Sequence, residues 1–291
     1  MSWINNFKCR SSAICKIMSN KQGFAPITAN QMIRLDELHR RNNGEGKPLT
    51  EPMKLELAEL LVKESNKDKV ILSDSCIEYL MEVYAWETEG MIPTGKESLD
   101  VLAMRHGKEA EIESVALLSM YDGELYLQHK ERIENDYLSG EIDCYLGSSV
   151  YEATNVTDIK NCFDYPTLLK KIHAGVENDH EYQLGGYGDI TGARGLYVAY
   201  TVVNASPEIL EEMKYKVAKK IGALTIESPE FLIEWQKWYR SMVFSDMNPK
   251  KRVHKKKVEP FSEIRRQQVY DRVKICREWL NNFHEKRQDL G

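Results

Sequence analysis

The sequence predicts an α/β fold of the α+β kind, a mixed central sheet flanked by helices, with a helical insertion before it and a helical extension after it. Three observations lead there. Alternating segments near 137–146 and 155–161 and the β-branched, aromatic run Gly195–Val203 read as strands. Helix-period segments precede, separate and follow them. From Pro207 onward the pattern is mainly helical, ending in a long helix near Phe261–His284. With 291 residues the chain can bury one substantial core. We read 1–291 as a single domain with an insertion over 29–67, a core over 96–205 and the extension over 206–291.

Each element has a local cause. A first helix is expected over Ser11–Ser19, capped by serine and closed by Gly23 and Pro26. Two helices between Ala29 and Lys67 flank the break Asn42-Asn43-Gly44-Glu45-Gly46-Lys47-Pro48, whose glycines and proline mark a loop. Ser73-Asp74-Ser75 caps a helix through Trp86, ended by Gly90 and Pro93. The next helix is expected over Lys96–Met120. Three β segments follow, near Glu124–His129, Tyr137–Leu146 and Asn155–Asn161. A helix begins after Pro166, and a second includes Gln183–Tyr187. Gly185–Gly192 is glycine-rich but precedes the strong strand, which is the wrong context for a dinucleotide loop.

Composition sets limits. No apolar run approaches a membrane span, and Lys8 and Arg10 interrupt the N-terminal segment where a signal peptide needs an apolar block. A soluble protein without a membrane partner is expected. Six scattered cysteines, without Cys-x-x-Cys pairs or clustered histidines, indicate neither a zinc site nor a disulfide framework. The formal charge of −5 is unfriendly to nucleic acid, but basic residues gather at Lys250, Lys251, Arg252, Lys255, Lys256 and Lys257. That run reads either as a solvated or nuclear-import-like segment or as an edge strand guarded by charge.

The chemistry-bearing stretch is Gly140-Glu141-Ile142-Asp143-Cys144-Tyr145, followed by Val156-Thr157-Asp158-Ile159-Lys160. Alternate side chains of a strand share a face, so Asp158 and Lys160 point one way and Thr157 and Ile159 the other. On the earlier segment Asp143 takes the polar face and Ile142, Cys144 and Leu146 the apolar one. If a hairpin joins them, Asp143 lies beside Asp158 with Lys160 one step along. Two carboxylates held together call for a cation, and oxygen-only ligation suits Mg²⁺ or Mn²⁺. Taken alone, Asp-x-Lys is an ordinary solvated strand face.

Upstream, Met104–Ser114 offers Glu109, Glu111 and Glu113 on one helix. Ile112, Val115, Ala116 and Ser119 define the expected core stripe; Glu109 and Glu111 flank it on opposite sides, and Glu113 lies further round. Geometry therefore leaves Glu109 and Glu111 open. Downstream, Gln183 and Tyr187 are four apart, which a helix brings to one side.

In this order the four elements resemble the PD-(D/E)xK nuclease superfamily, and within it the phage exonucleases of the lambda exonuclease or YqaJ type. Arg10-Ser11-Ser12-Ala13-Ile14-Cys15-Lys16-Ile17-Met18 is similar to the serine-bearing first helix used at the DNA end. Gly107 with Glu111 resembles the family's helix glutamate, Glu134–Asp143 its approach to the first metal aspartate, Asp158-Ile159-Lys160 its (D/E)xK element, and Gln183 with Tyr187 its Gln-x-x-x-Tyr element. Ile142 stands where the motif has proline. That proline shapes the backbone and ligates nothing.

The resemblance implies a restriction-endonuclease-like core and a Mg²⁺- or Mn²⁺-dependent DNA exonuclease, 5′-to-3′ on linear duplex DNA, acting in phage-type recombination or repair in the phage or bacterial host cytoplasm. It implies catalytic Glu111, Asp143, Asp158 and Lys160, metal ligands Glu111, Asp143, Asp158 and the Ile159 carbonyl, and DNA contacts at Arg10, Ser11, Ser12, Gln183 and Tyr187. A homo-oligomeric ring and a single-strand annealing partner are implied by likeness alone. Iron–sulfur relatives need a C-terminal cysteine cluster, and only Cys276 is available, so no cluster is expected. Serine at 11 and 12 also reads simply as a helix cap. A single-strand or structure-specific endonuclease on the same core, and an inactive nucleic-acid-binding protein, are the competing readings.

Overall fold

The structure is a computed structural model and describes residues 2–21, 27–66, 70–91 and 102–289. Gly23, Pro26, Lys67, Pro93 and the expected helix start at Lys96 lie outside the described residues. In chain order the elements are α1 (Ser2–Asn5), β1 (Cys9–Arg10), α2 (Ile14–Met18), α3 (Ala29–Asn42), α4 (Glu51–Ser65), α5 (Asp74–Glu89), α6 (Leu102–Glu109) and α7 (Glu111–Asp122). They continue as β2 (Ile133–Glu134), β3 (Leu138–Gly140), β4 (Cys144–Leu146), β5 (Asn155–Asn161), α8 (Tyr165–His173), α9 (Asn178–Thr191), β6 (Gly195–Thr201), α10 (Pro207–Ile221), α11 (Pro229–Met242), β7 (Val253–Val258) and α12 (Glu263–Gln288). The chain divides into two compact units, Met1–Ile14 with Ile92–Val273 and Cys15–Met91 with Lys274–Gly291.

Among the described residues the first unit holds two mixed sheets, one ordered β1-β3-β2 and one ordered β4-β5-β6-β7. In the larger sheet β5 and β6 run parallel, with β4 and β7 antiparallel at the edges. Its two faces bury separate cores. Val156, Leu196, Val198 and Tyr200 pack with Leu168 of α8 and with Leu184 and Tyr187 of α9. Cys144, Ala199 and Val203 pack on the other face with Val115, Leu117 and Leu118 of α7. The basic run forms a short 3-10 turn, Pro249–Lys251, and then edge strand β7. Its lysines are tied down by neighbours: Lys255 meets Asp122 at 2.6 Å and lies 4.0 Å from the Tyr197 ring centre, and Lys256 reaches the Lys171 carbonyl.

In the second unit, Leu35 and Leu38 of α3 bury against Leu57 and Leu60 of α4. Thr28 and Gln31 form a capping box at the start of α3. Ser73 caps α5, and Gly90 ends it in the left-handed conformation with φ 66°. The Tyr84 phenol meets His284 Nδ1 at 2.8 Å.

Several local expectations are corrected. The first helix is a 3-10 turn, Ser11–Ala13, followed by α2; its cap position is Arg10 and no side chain caps it, because Ser11 Oγ instead donates to the Ser139 carbonyl. The helix expected through Met120 breaks at Ala110 into α6 and α7. Ile112 is exposed and the buried stripe runs through Ser114, Val115, Leu117 and Leu118. The break resets the helical phase, and buried Ser114 is satisfied by Thr201 Oγ1 at 3.0 Å. The segment near 137–146 is two strands in different sheets, and Glu124–His129 contributes only a bridge from Leu127 to Tyr145. Because 141–143 leave the sheet, Ile142 joins the α9-side core and Cys144 the α7-side core, not one apolar face.

Candidate active site

The ladder between β4 and β5 ends at Cys144 opposite Thr157. One step further along, the backbone N–H of Ile159 has no strand partner, and Asp143 supplies one: its Oδ2 accepts that N–H at 2.7 Å. The aspartate thus extends the sheet with its side chain. Asp158, buried at 1 % exposure, faces α9. Its Oδ1 accepts from Gln183 Nε2 at 3.0 Å, and its Oδ2 forms an ion pair with Lys160 Nζ at 2.8 Å.

Gln183 is the hub on the helix side. Its Nε2 also lies 2.9 Å from the Tyr187 hydroxyl, and its Oε1 accepts from Lys160 Nζ at 3.4 Å. Tyr187 is buried against Gly140: a Cβ on that glycine would come within 2.5 Å of the tyrosine ring and 3.1 Å of Ser11 Oγ. A Cβ on Gly186 would meet Ser11 Oγ at 2.8 Å and Ile14 at 2.7 Å. Small residues therefore seat Ser11 and α9 against each other beside the aspartates. Ser11 is fully packed there, whereas Arg10 and Ser12 are exposed.

Electrostatics bind the group together. Burial, then the nearby Asp158 charge, pushes the Asp143 carboxyl up to about 7, while the Ile159 N–H and Lys160 oppose the shift. For Lys160 burial disfavours the ammonium, but attraction by Asp158 and Asp143 outweighs it and the group titrates above its usual range. Glu111 begins α7 and also raises Asp143 through its charge; its Oε1 accepts from Gln128 Nε2 at 3.0 Å. Glu109 turns elsewhere, accepting from Ser206 Oγ at 2.6 Å.

Among the described residues no set of three His, Cys, Asp or Glu side chains lies close enough to hold a metal. The donors at hand are two carboxylates and the Ile159 carbonyl. This all-oxygen set fits a hard divalent cation such as Mg²⁺ or Mn²⁺. So does the charge state, since burial and the neighbouring Asp158 carboxylate both push the Asp143 carboxyl up.

Two neighbours of the site are not among the residues the sequence reading singles out. Gln128 lies in an irregular segment, and its importance comes from the carboxylate it holds. His180, whose Nδ1 is 3.2 Å from the Tyr200 hydroxyl, stands three residues before Gln183, a helical spacing that could have marked it.

No family model matches the chain, and no curated protein sequence matches it. Solved structures do. A phage-related exonuclease from Haemophilus somnus 129PT superposes with a TM-score of 0.57 at 13% identity, covering 97% of this chain and 96% of that one. The alkaline exonuclease LHK-Exo from Laribacter hongkongensis superposes at 0.52 with 10% identity, covering 100% and 99% of the two chains. Its complex with dAMP gives 0.53 at 10% identity, covering 100% and 97%. Among the described residues no helix is long and apolar enough to cross a membrane. The chain therefore has the fold of the phage-related and alkaline exonucleases, the architecture that the nuclease-superfamily resemblance implies.

Proposed function

We propose that this protein is a divalent-metal-dependent DNA exonuclease that hydrolyses phosphodiester bonds of linear duplex DNA from the 5′ end, with Mg²⁺ or Mn²⁺ as cofactor, in phage-type recombination or repair in the host cytoplasm. The observation that carries this reading is the meeting of Asp143, Asp158 and Lys160, held by Gln183, on a fold shared with exonucleases.

Asp143, Asp158 and the Ile159 carbonyl would hold one ion, and Glu111 a second ion or its waters. When bound, the metal lowers the pKa of its water and offsets charge on the phosphate. Lys160 stays protonated beside Asp158, so its ammonium can orient the attacking water and stabilise charge developing on the phosphate oxygens. Gln183 fixes both groups at once, which keeps the Asp158 carboxylate and the ammonium from collapsing into another rotamer. Tyr187 braces Gln183 and keeps its proton, since burial pushes its phenol upward. Arg10 and Ser12, exposed next to packed Ser11, are the groups we assign to the 5′ end of the DNA.

The test uses end-labelled linear and closed circular duplexes with Mg²⁺, Mn²⁺ or chelator. Metal-dependent loss of the linear substrate alone is expected, abolished by Asp158→Ala and by Lys160→Ala with folding intact. Undiminished digestion by either variant refutes the assignment, and cutting of the circle replaces exonuclease by endonuclease. Equal rates on 5′-phosphorylated and 5′-hydroxyl ends would remove the role given to Arg10 and Ser12.

A further inference from the structure

His180 lies one helical turn before Gln183 on α9, so His180, Gln183 and Tyr187 share a side of that helix. Its partner, Tyr200, is the register neighbour of Lys160 on the parallel strands β5 and β6. Neighbours in register emerge on the same face of a sheet, which here is the face of Asp158. His180 accordingly stands beside the site, and its ring feels the charges of Lys160 and Asp158.

The contact with Tyr200 decides which ring nitrogen carries the proton. Tyr200 is fully buried, and burial pushes its phenol up to about 12, so the hydroxyl stays protonated. Among the described residues its hydrogen-bond partner is His180 alone, Nδ1 lying 3.2 Å away. A buried O–H that donates to nothing costs about 1–3 kcal/mol, so the phenol donates and Nδ1 accepts. Burial, reinforced by the Lys160 ammonium, holds the imidazole neutral. Its single proton is then on Nε2. His180 is half-buried, and among the described residues its one hydrogen bond is the contact between Nδ1 and Tyr200.

We propose that His180 contacts DNA, its Nε2–H donating to a backbone phosphate oxygen next to the phosphate seated at Lys160, with Tyr200 as the positioning residue that locks the donor tautomer. The proposal rests on the nuclease reading. Phosphate oxygens only accept, so a lone pair presented at Nε2 would repel them, and the phenol removes that option. A neutral donor also adds a grip on the substrate without placing another cation beside the carboxylates that would hold the metal.

The test uses the full chain and a 5′-phosphorylated linear duplex, with Ca²⁺ replacing Mg²⁺ so that fluorescence anisotropy reads binding without turnover. His180→Ala should weaken binding about tenfold, as for loss of a hydrogen bond to a charged group, and should raise KM far more than it lowers kcat. His180→Gln, which keeps an N–H at a similar reach, should recover most of the loss. Tyr200→Phe should give an intermediate loss, and imidazole nitrogen NMR should show Nε2 protonated in the wild type and a tautomer mixture in that variant. Wild-type binding left intact by His180→Ala, or a wild-type proton on Nδ1, overturns the contact alone. A wild type that binds no DNA overturns the nuclease reading and the contact together.

Discussion

The Glu111 carboxylate accepts a hydrogen bond from Gln128 Nε2 at 3.0 Å, while Glu109, two residues earlier, is taken by Ser206 at the start of α10. The break at Ala110 separates the two glutamates, one ending α6 and the other opening α7. Of these two glutamates, it is Glu111 whose charge raises Asp143. Glu111→Gln should therefore lower the cleavage rate by about 10²-fold or more, the scale of losing one electrostatic partner in a transition state. Glu109→Gln should lose only a cap contact, about 1 kcal/mol of stability, with the rate near wild type. Single-turnover rates and denaturation midpoints of the two variants check the distinction.

Gln183→Ala should cut the rate by about 10–100-fold, because Asp158, Lys160 and Tyr187 lose a common anchor. Gln183→Glu should be worse, since a third carboxylate would face Asp158. Rates at saturating DNA and metal separate this positioning loss from weaker binding.

Asp143 and Asp158 repel each other without a cation, which gives a thermal test free of DNA. Mg²⁺ at one hundred times its dissociation constant should stabilise the wild type by about 2.7 kcal/mol. Asp143→Asn should raise the metal-free Tm by relieving the repulsion, and should lose most of the Mg²⁺ response. An unchanged metal response in that variant would remove Asp143 from the ligand set.

His106 is 1% exposed, packs edge-on against Phe163 at 5.7 Å, and has no partner for either ring nitrogen among the described residues. Burial lowers its pKa, with Glu109 opposing weakly. The folded state thus holds a neutral ring, while the unfolded chain takes up a proton near its ordinary pKa of about 6.5. Its stability contribution is complete above that pH and is lost as pH falls toward the depressed folded value. His106→Leu should flatten the stability profile below about pH 6.5 and add about 1–3 kcal/mol by removing unpaired polar atoms. Denaturant midpoints at acid and neutral pH provide the measurement.

Much of this architecture is legible in the sequence. β5 has the bounds that the sequence reads, Asn155–Asn161, and Gln183 with Tyr187 falls on one helix because four residues make about one turn. What escaped was set by partners distant in the chain. The stripe of α7 includes Ser114, a residue that periodicity assigns to solvent, because Thr201 is there to bond it. The step between β3 and β4 is invisible locally, since Gly140–Asp143 continues a strand-like alternation while crossing between sheets. Gln128 and His180 acquire meaning only from Glu111 and Tyr200.

Gly186→Ala should destabilise by about 1–3 kcal/mol, the range for overpacking, because its Cβ would meet Ser11 Oγ at 2.8 Å and Ile14 at 2.7 Å. Cleavage should fall along with stability as Tyr187 and Gln183 shift with the helix. Far-UV spectra, melting curves and rates measured on one preparation test the coupling.

The glycines of α9 have a kinetic corollary. Gly185, Gly186 and Gly188 each weaken an isolated helix by about 1 kcal/mol relative to alanine, so this segment scarcely holds its shape alone. It gains order when Phe261, Ser11 and Leu196 close on its bare flanks. Leu196 is a local partner, but Ser11 and Phe261 lie far from α9 in the sequence, and loop closure makes such meetings slow. Under the proposed function, a nascent or partly refolded chain would thus leave nucleic acid uncut until that docking is made.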